Sequence, residues 1–433
     1  MEQRQSVVIH QLAEDEAQQR SFYRLIHNKR VESQSIKNYI YADCKRQVEA
    51  GQHYLVIQDT TQPNFERNRQ NIKDQTGLGV IGNNKDLGFF LHPCLVVAAD
   101  SGRCIGYSNL YHWSREAEAA SKEERRYKGQ VIEQKESYRW IQAGKDSKQV
   151  LAAAGQLTII ADRESDITEL LQQLPDERTH LLIRSAQDRN LAESSLKLYG
   201  YLAAQQEGGS FQLAIKNDTR SKAVKRNARI VLRWAKVKLA PVALKGAALE
   251  VYALQAREEN PPEGEKAICW CLLTTHRIES LAQAQQVCQW YSERWNIEQV
   301  FRLLKHQGLN VEMLDVESGK SLIDLTLLAL LTVSKILLLH LAAKEEEPLA
   351  IQKSFTEEEV ECMLALHQKY EGNTPKQQNP YPTASLQWCY WIMGRLGGWK
   401  PQEKKAGVIA LMRGVRRFNQ IFHGWLLAKQ LVS

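Results

Sequence analysis

The chain has little of what marks several common protein classes. Its eight cysteines are scattered through 433 residues with no CxxC pair, and no histidines cluster at zinc-ligand spacing. That disfavours a structural zinc module or a disulfide scaffold and fits a reduced, cytoplasmic setting. Cys269 and Cys271 sit two apart on a strand-like run, so both are expected on one face as core residues. The N-terminus lacks an apolar signal region. The longest apolar stretch, Leu322 to Ala343, is interrupted by Asp324, Ser334, Lys335 and His340. A buried core helix suits it better than a membrane span. No internal repeat is evident. Charge is not extreme either: a formal +7 and a pI near 8.8 permit a polyanionic partner without requiring one.

The 43% hydrophobic content is enough for a substantial core and for two or three domains. Residues 1–50 read as helices around an apolar cluster of Phe22, Tyr23, Leu25 and Ile26. Tyr54-Leu55-Val56-Ile57 then has strand character and ends at Asp59-Thr60-Thr61. Further strands are expected over Phe89–Ala98 and, after the Asp100-Ser101-Gly102 turn, over Arg103–Trp113. A charged, helical stretch should fill 115–150. Leu157–Ala161 reads as a buried strand that ends at Asp162-Arg163-Glu164-Ser165-Asp166, followed by a helix from Asp166 to Leu174. From about 181 to 275 the pattern is repeated β, with runs at Leu181–Arg184, Phe211–Ile215, Ile230–Leu239, Leu249–Gln255 and Ala267–Thr274. Lys222, Lys225, Arg226 and Arg229 form a basic cluster that reads as a solvated loop or, alternatively, a DNA contact. After Ser280 the chain is helical, and 346–433 form a last helical unit.

The segment Tyr291–Lys305 carries the densest functional signal. Read as one helix at about 100° per residue, it places Tyr291, Arg294, Glu298, Arg302 and Lys305 within roughly 80° of one another. Ile297, Val300, Phe301 and Leu304 take the neighbouring and opposite arcs, as a core requires. A lone acid among cations suits a carboxylate that holds a metal while its neighbours hold phosphates. It also suits an ordinary amphipathic helix, in which Glu298 and Arg302 pair at a spacing of four. Two aspartates at the ends of core strands and a glutamate on a later helix can build a divalent-metal site. Mg²⁺ takes hard oxygen ligands, and the absence of His and Cys from the set disfavours zinc. An Asp after a strand is, by itself, more often a turn or cap residue.

Tyr291, Arg294, Glu298 and Lys305 fit the Tyr-x2-Arg-x3-Glu-x6-Lys signature of bacterial insertion-sequence transposases of the fourth family, which includes the transposon-five enzyme. Asp59-Thr60-Thr61 resembles that family's first acidic motif, and Asp162-Arg163-Glu164-Ser165-Asp166 the second. Trp270 resembles the tryptophan that stacks an extruded base, although core packing on a strand is the alternative. Arg184 resembles a basic residue that grips the cleaved end. Leu386-Gln387-Trp388 and Gly394-Arg395-Leu396-Gly397-Gly398 resemble parts of the dimerisation region. The resemblance runs from about Phe22 to the end.

The resemblance implies an α/β fold: a ribonuclease H-like catalytic core over 51–185 and 270–345, with a β-rich insertion over 186–269. A helical segment over 1–50 and a helical dimerisation region over 346–433 would flank it. It further implies Asp59, Asp162 and Glu298 as a catalytic, metal-binding triad using Mg²⁺, with Mn²⁺ as a substitute. DNA contacts are expected from Tyr291, Arg294, Lys305, Arg184 and Trp270; Arg302 is added because it shares their face. The implied activity is cut-and-paste transposition by a homodimer acting on double-stranded transposon ends and target DNA, at the bacterial nucleoid. Full-length relatives carry an end-recognition domain ahead of the segment matching Phe22–Asn28, and only 21 residues precede that point here. The expectation is therefore that most of that domain is missing. Two alternatives follow: a truncated inhibitor that dimerises with full-length transposase, and a metal-dependent nuclease that cuts without joining strands.

Overall fold

The structure, a computed structural model, describes residues 1, 6–13, 15–28, 30–116, 130–215, 226–241, 248–265, 267–305, 307–352, 354–401 and 405–432. The chain forms two compact units. One comprises Met1–Val48, Thr60–Ser121 and Trp295–Ser433; the other comprises Glu49–Asp59 and Lys122–Arg294.

The N-terminal helices are α1 (Ile9–Leu12), α2 (Glu16–His27) and α3 (Ser33–Gln47). They are followed by strands β1 (His53–Gln58), β2 (Gly79–Val80), β3 (Leu87–Gly88), β4 (Phe90–Ala98) and β5 (Cys104–Trp113). Next come α4 (Tyr138–Val150), β6 (Gln156–Ala161), α5 (Thr168–Gln173), β7 (Thr179–Arg184) and α6 (Leu198–Ala203). Then β8 (Gly209–Ile215), β9 (Arg226–Leu239), β10 (Leu249–Glu259) and β11 (Cys269–Thr274) lead into α7 (Leu281–Ser292). The remaining helices are α8 (Trp295–Leu304), α9 (Gly319–Ala342), α10 (Glu357–Tyr370), α11 (Leu386–Leu396) and α12 (Val408–Val432).

The unit containing Asp59 is built on a sheet. Its strands run in the order β1-β6-β7-β11-β10-β9-β8. Strands β1, β6 and β7 are parallel, whereas the pairs from β7 through β11 to β8 are antiparallel. In β1 and β6 every residue after the first is buried, as parallel strands covered on both faces require. Helix α4 packs against β1 and α5, burying Trp140, Ile141 and Ala143. The 186–269 stretch is β-rich as expected, and β8–β10 lengthen this same sheet because β10 pairs with β11 over Tyr252–Arg257. The architecture is mixed α/β, compatible with a ribonuclease H-like domain.

The other unit is centred on α9. This helix is long and apolar enough to cross a membrane, but 72% of its most apolar window is buried inside the protein, as in a core helix. Its buried Asp324 accepts hydrogen bonds from Ser33 Oγ on α3 and from Lys320 Nζ, both at 2.5 Å. Strands β4 and β5 form an antiparallel pair on which α3 packs. Gly106 permits that approach: its φ is +136°, and an added Cβ would lie 3.3 Å from the Cys44 Cβ. Helix α11 is buried almost throughout, with Trp388 and Trp391 in the core.

Two expectations require correction. Cys271 is buried but Cys269 is exposed, because it starts β11 and lies beyond the part of the strand that is covered. Within the charged stretch expected to be helical over 115–150, only Tyr138–Val150 is α-helical among the described residues, and 117–129 lie outside them.

Candidate active site

Strand register carries two of the three expected acids to one edge of the sheet. In the parallel β1–β6 pair, Val56 faces Ile159 and Ile57 faces Ile160. Continuing that register past the strand ends sets Asp59 opposite Asp162, on strands about 4.8 Å apart. Both side chains lie at the C-terminal edge of the sheet, and both residues are half-buried. Asp162 caps the short turn Arg163–Ser165: its Oδ1 accepts from Glu164 N at 2.9 Å, and its carbonyl accepts from Ser165 Oγ at 2.6 Å. Asp59 Oδ2 accepts from Arg294 Nη1 at 3.1 Å.

Cations and aromatic rings surround this edge. Tyr291, at the end of α7, is 5% exposed, and its ring meets Trp270 of β11 edge-on at 5.6 Å between centroids. Burial raises the Tyr291 phenol above its ordinary pKa; Arg294 and Arg184 pull it down, and Asp162 pushes it up. Those four groups therefore share one electrostatic neighbourhood. Arg184, the last residue of β7, donates from Nη2 to the Cys269 carbonyl at 3.0 Å, while its Nε is buried without a hydrogen-bond partner. Its charge stands close enough to Tyr291 to lower the phenol pKa, and a guanidinium so placed suits a phosphate nearby. Trp270 is half-buried, so it is neither a fully enclosed core side chain nor a free surface ring.

The expected single helix over Tyr291–Lys305 is corrected. Helix α7 stops at Ser292, and α8 begins at Trp295. Between them Glu293 N and Arg294 N donate to the carbonyls of Trp290 and Tyr291, both at 3.1 Å. These three-residue spacings tighten the turn in 3₁₀ fashion and interrupt the α-helical rotation that the stripe assumed. Tyr291 and Arg294 thus belong to the unit with the two aspartates, whereas Glu298, Arg302 and Lys305 belong to the other. On α8 and its last turn these three still share a face, at positions i, i+4 and i+7. Arg302 is exposed, and its Nε bonds Gln307 Oε1. Lys305 Nζ donates to the Gln62 carbonyl at 2.8 Å and lies 3.3 Å from Glu312.

The donor set fits a hard cation. Asp59 and Asp162 offer only carboxylate oxygens, and Mg²⁺ needs no more than one or two such groups when phosphate oxygens complete its shell. Among the described residues, no group of three or more His, Cys, Asp or Glu side chains gathers into a cation cluster.

Sequence reasoning gave no role to Asp166. Its carboxylate is fully buried and accepts from Arg189 Nη2 at 2.6 Å, Arg189 Nε at 3.0 Å, Ala186 N at 2.7 Å and Gln187 N at 3.1 Å. It therefore fixes the chain that follows Arg184. The only signal for it in the sequence was its place at the end of the second acidic motif. Of the basic cluster in the β-rich stretch, Arg226 and Arg229 lie among the described residues. Arg226 pairs with Glu258 and Glu265, and Arg229 with Glu207 and Glu259, while Lys222 and Lys225 lie outside the described residues.

Residues 142–332 match the family model of the transposase DDE domain. The matched stretch holds Asp162, Glu298 and all the expected DNA contacts, and Asp59 lies ahead of it. This region is similar to DDE transposases, and the likeness supports transposase activity on DNA for the chain that carries it.

Proposed function

We propose that the chain is a DDE transposase of the insertion-sequence class resembling the transposon-five enzyme, acting by cut and paste on DNA as a homodimer. The reading is supported by the β1–β6 register, whose continuation brings Asp59 and Asp162 to one edge of the sheet, and by the Arg294 bond to Asp59. Glu298 is assigned as the third carboxylate. Asp59, Asp162 and Glu298 would hold Mg²⁺, or Mn²⁺ in its place, which would supply Lewis acidity for the attacking hydroxyl or water and offset charge on the departing oxygen.

The chain's own groups do the rest. Arg294 can pass from the Asp59 carboxylate to a phosphate, which releases that carboxylate as the strand arrives. Arg184 adds its guanidinium charge beside a second phosphate, and Tyr291 fixes the wall against which Trp270 stands. Lys305 and Arg302 hold the backbone from α8. The reaction begins with a nick at the element end that exposes a 3′-hydroxyl. That hydroxyl attacks the opposite strand to close a hairpin. Reopening the hairpin frees the element, and the same hydroxyl then joins target DNA. The strained hairpin is relieved by extruding a base onto Trp270, at a cost of a few kcal/mol.

Glu298→Ala should abolish Mg²⁺-dependent cleavage of duplex DNA while leaving duplex binding largely unchanged. The two are read by denaturing gels and by an electrophoretic shift. Cleavage retained by the variant removes Glu298 from the mechanism, and a wild-type chain that neither cuts nor joins DNA overturns the reading.

A further inference from the structure

Beside α8, within its own unit, lies a cleft of about 850 Å³ whose walls include Gln62, Asn64, Arg67, Lys305, Asn310 and Met313. Its two carboxylates are already engaged. Glu312 Oε1 accepts from Asn64 N at 3.1 Å and faces Lys305 at 3.3 Å. Glu66 accepts from Arg69 through Oε1 at 3.1 Å and from Leu87 N through Oε2 at 2.8 Å. Arg67 is different. Among the described residues its guanidinium makes one hydrogen bond, to the Met313 sulfur at 3.2 Å, and no ion pair. A thioether is a weak acceptor, so this exposed, always-charged fork keeps nearly all its donor capacity. Asn310 turns the opposite wall in the left-handed region, with φ at 53°.

A cleft whose acids are neutralised and whose open groups are donors selects an acceptor-rich anion. Its size and its position along the Lys305 face fit a chain of phosphates better than a single one. We propose that this cleft is a phosphodiester track: a DNA strand passes along it, with Arg67 clamping one phosphate by its paired N–H groups. The inference rests on the DNA-processing reading above and adds to it a residue and a path that the resemblance did not assign.

The test measures binding of a fluorescein-labelled, mixed-sequence duplex of about 30 base pairs to the full chain across a series of NaCl concentrations. Arg67→Met keeps the stem beside Met313 and removes the charge; Arg67→Lys keeps the charge and removes the fork. Arg67→Met should weaken binding about tenfold at low salt and lower the slope of log K against log salt by about 0.9, the value for one lost phosphate contact. Its melting temperature should match the wild type, and Arg67→Lys should restore most of the salt slope. A wild-type slope in Arg67→Met overturns the track while leaving the transposase reading intact. No salt-dependent binding by the wild type overturns both. Displacement of the duplex by micromolar mononucleotide would replace the strand with a small-molecule site.

Discussion

At the scale of single residues, Asp166 shows how a charge survives full burial. Arg189 and two backbone N–H groups satisfy its carboxylate, and Arg189 itself is only 8% exposed. Breaking such a pair strands the remaining charge and costs about 3–5 kcal/mol. Asp166→Asn is therefore expected to lower the urea midpoint substantially, and a variant that unfolds with the wild type would show the network to be incidental. Asp162, four residues earlier, stays half-exposed and carries one backbone bond on Oδ1. The sequence places both acids in one short motif. Only burial separates the anchor from the group that can take a cation.

At the scale of elements, the edges of the sheet divide the chemistry. Carboxylates stand at the ends of β1 and β6. The starts of β1 and β7 and the residues after β11 gather His53, His180 and His276. Thr158 Oγ1 sits 2.7 Å from the Nε2 atoms of both His53 and His276, and His276 stacks on His180 at 4.1 Å between centroids. Burial holds the His276 pKa down to about 3, with His180 and His53 adding to the depression. An unfolded chain takes up that proton near the ordinary histidine value of about 6.5, before the folded one does. The contribution is thus whole above about pH 6.5 and lost as pH falls toward 3. The melting temperature should drop by about 5 °C or more between pH 7 and pH 4. His276→Gln should flatten that decline, and parallel curves for the two proteins would refute it.

Most elements were legible because their sequence periods are unmixed. The Tyr54–Ile57 and Leu157–Ala161 runs became β1 and β6, and each of the five runs read between Leu181 and Thr274 overlaps one of β7 to β11. The α7–α8 interruption was not legible: Tyr-Ser-Glu-Arg-Trp holds no proline or glycine to announce a break. The turn coincides with the point where the chain leaves one compact unit for the other, between Arg294 and Trp295.

At the scale of the whole molecule, Asp59 and Arg294 each end a stretch of the same unit, so the Asp59–Arg294 bond ties together the two points where the chain departs. The far end of α12 bears on assembly. Leu411, Val415 and Phe418 are buried, whereas Ile421, Leu427 and Leu431 are 38%, 48% and 87% exposed. Under the proposed homodimer, that apolar end supplies part of the contact. Deleting residues 420–433 should leave the melting curve unchanged and weaken self-association in sedimentation experiments with DNA present. A dimer of unaltered strength would move the contact elsewhere.

Sequence alone determined the strands, the apolar core helix and the identity of the acids and cations, because those follow from local periodicity and from spacing along the chain. The β1–β6 register that carries Asp59 and Asp162 to one sheet edge, the division of the signature between two units and the open guanidinium of Arg67 were decided only by tertiary structure. Each depends on register or burial between segments far apart in the chain, and no local pattern encodes those distances.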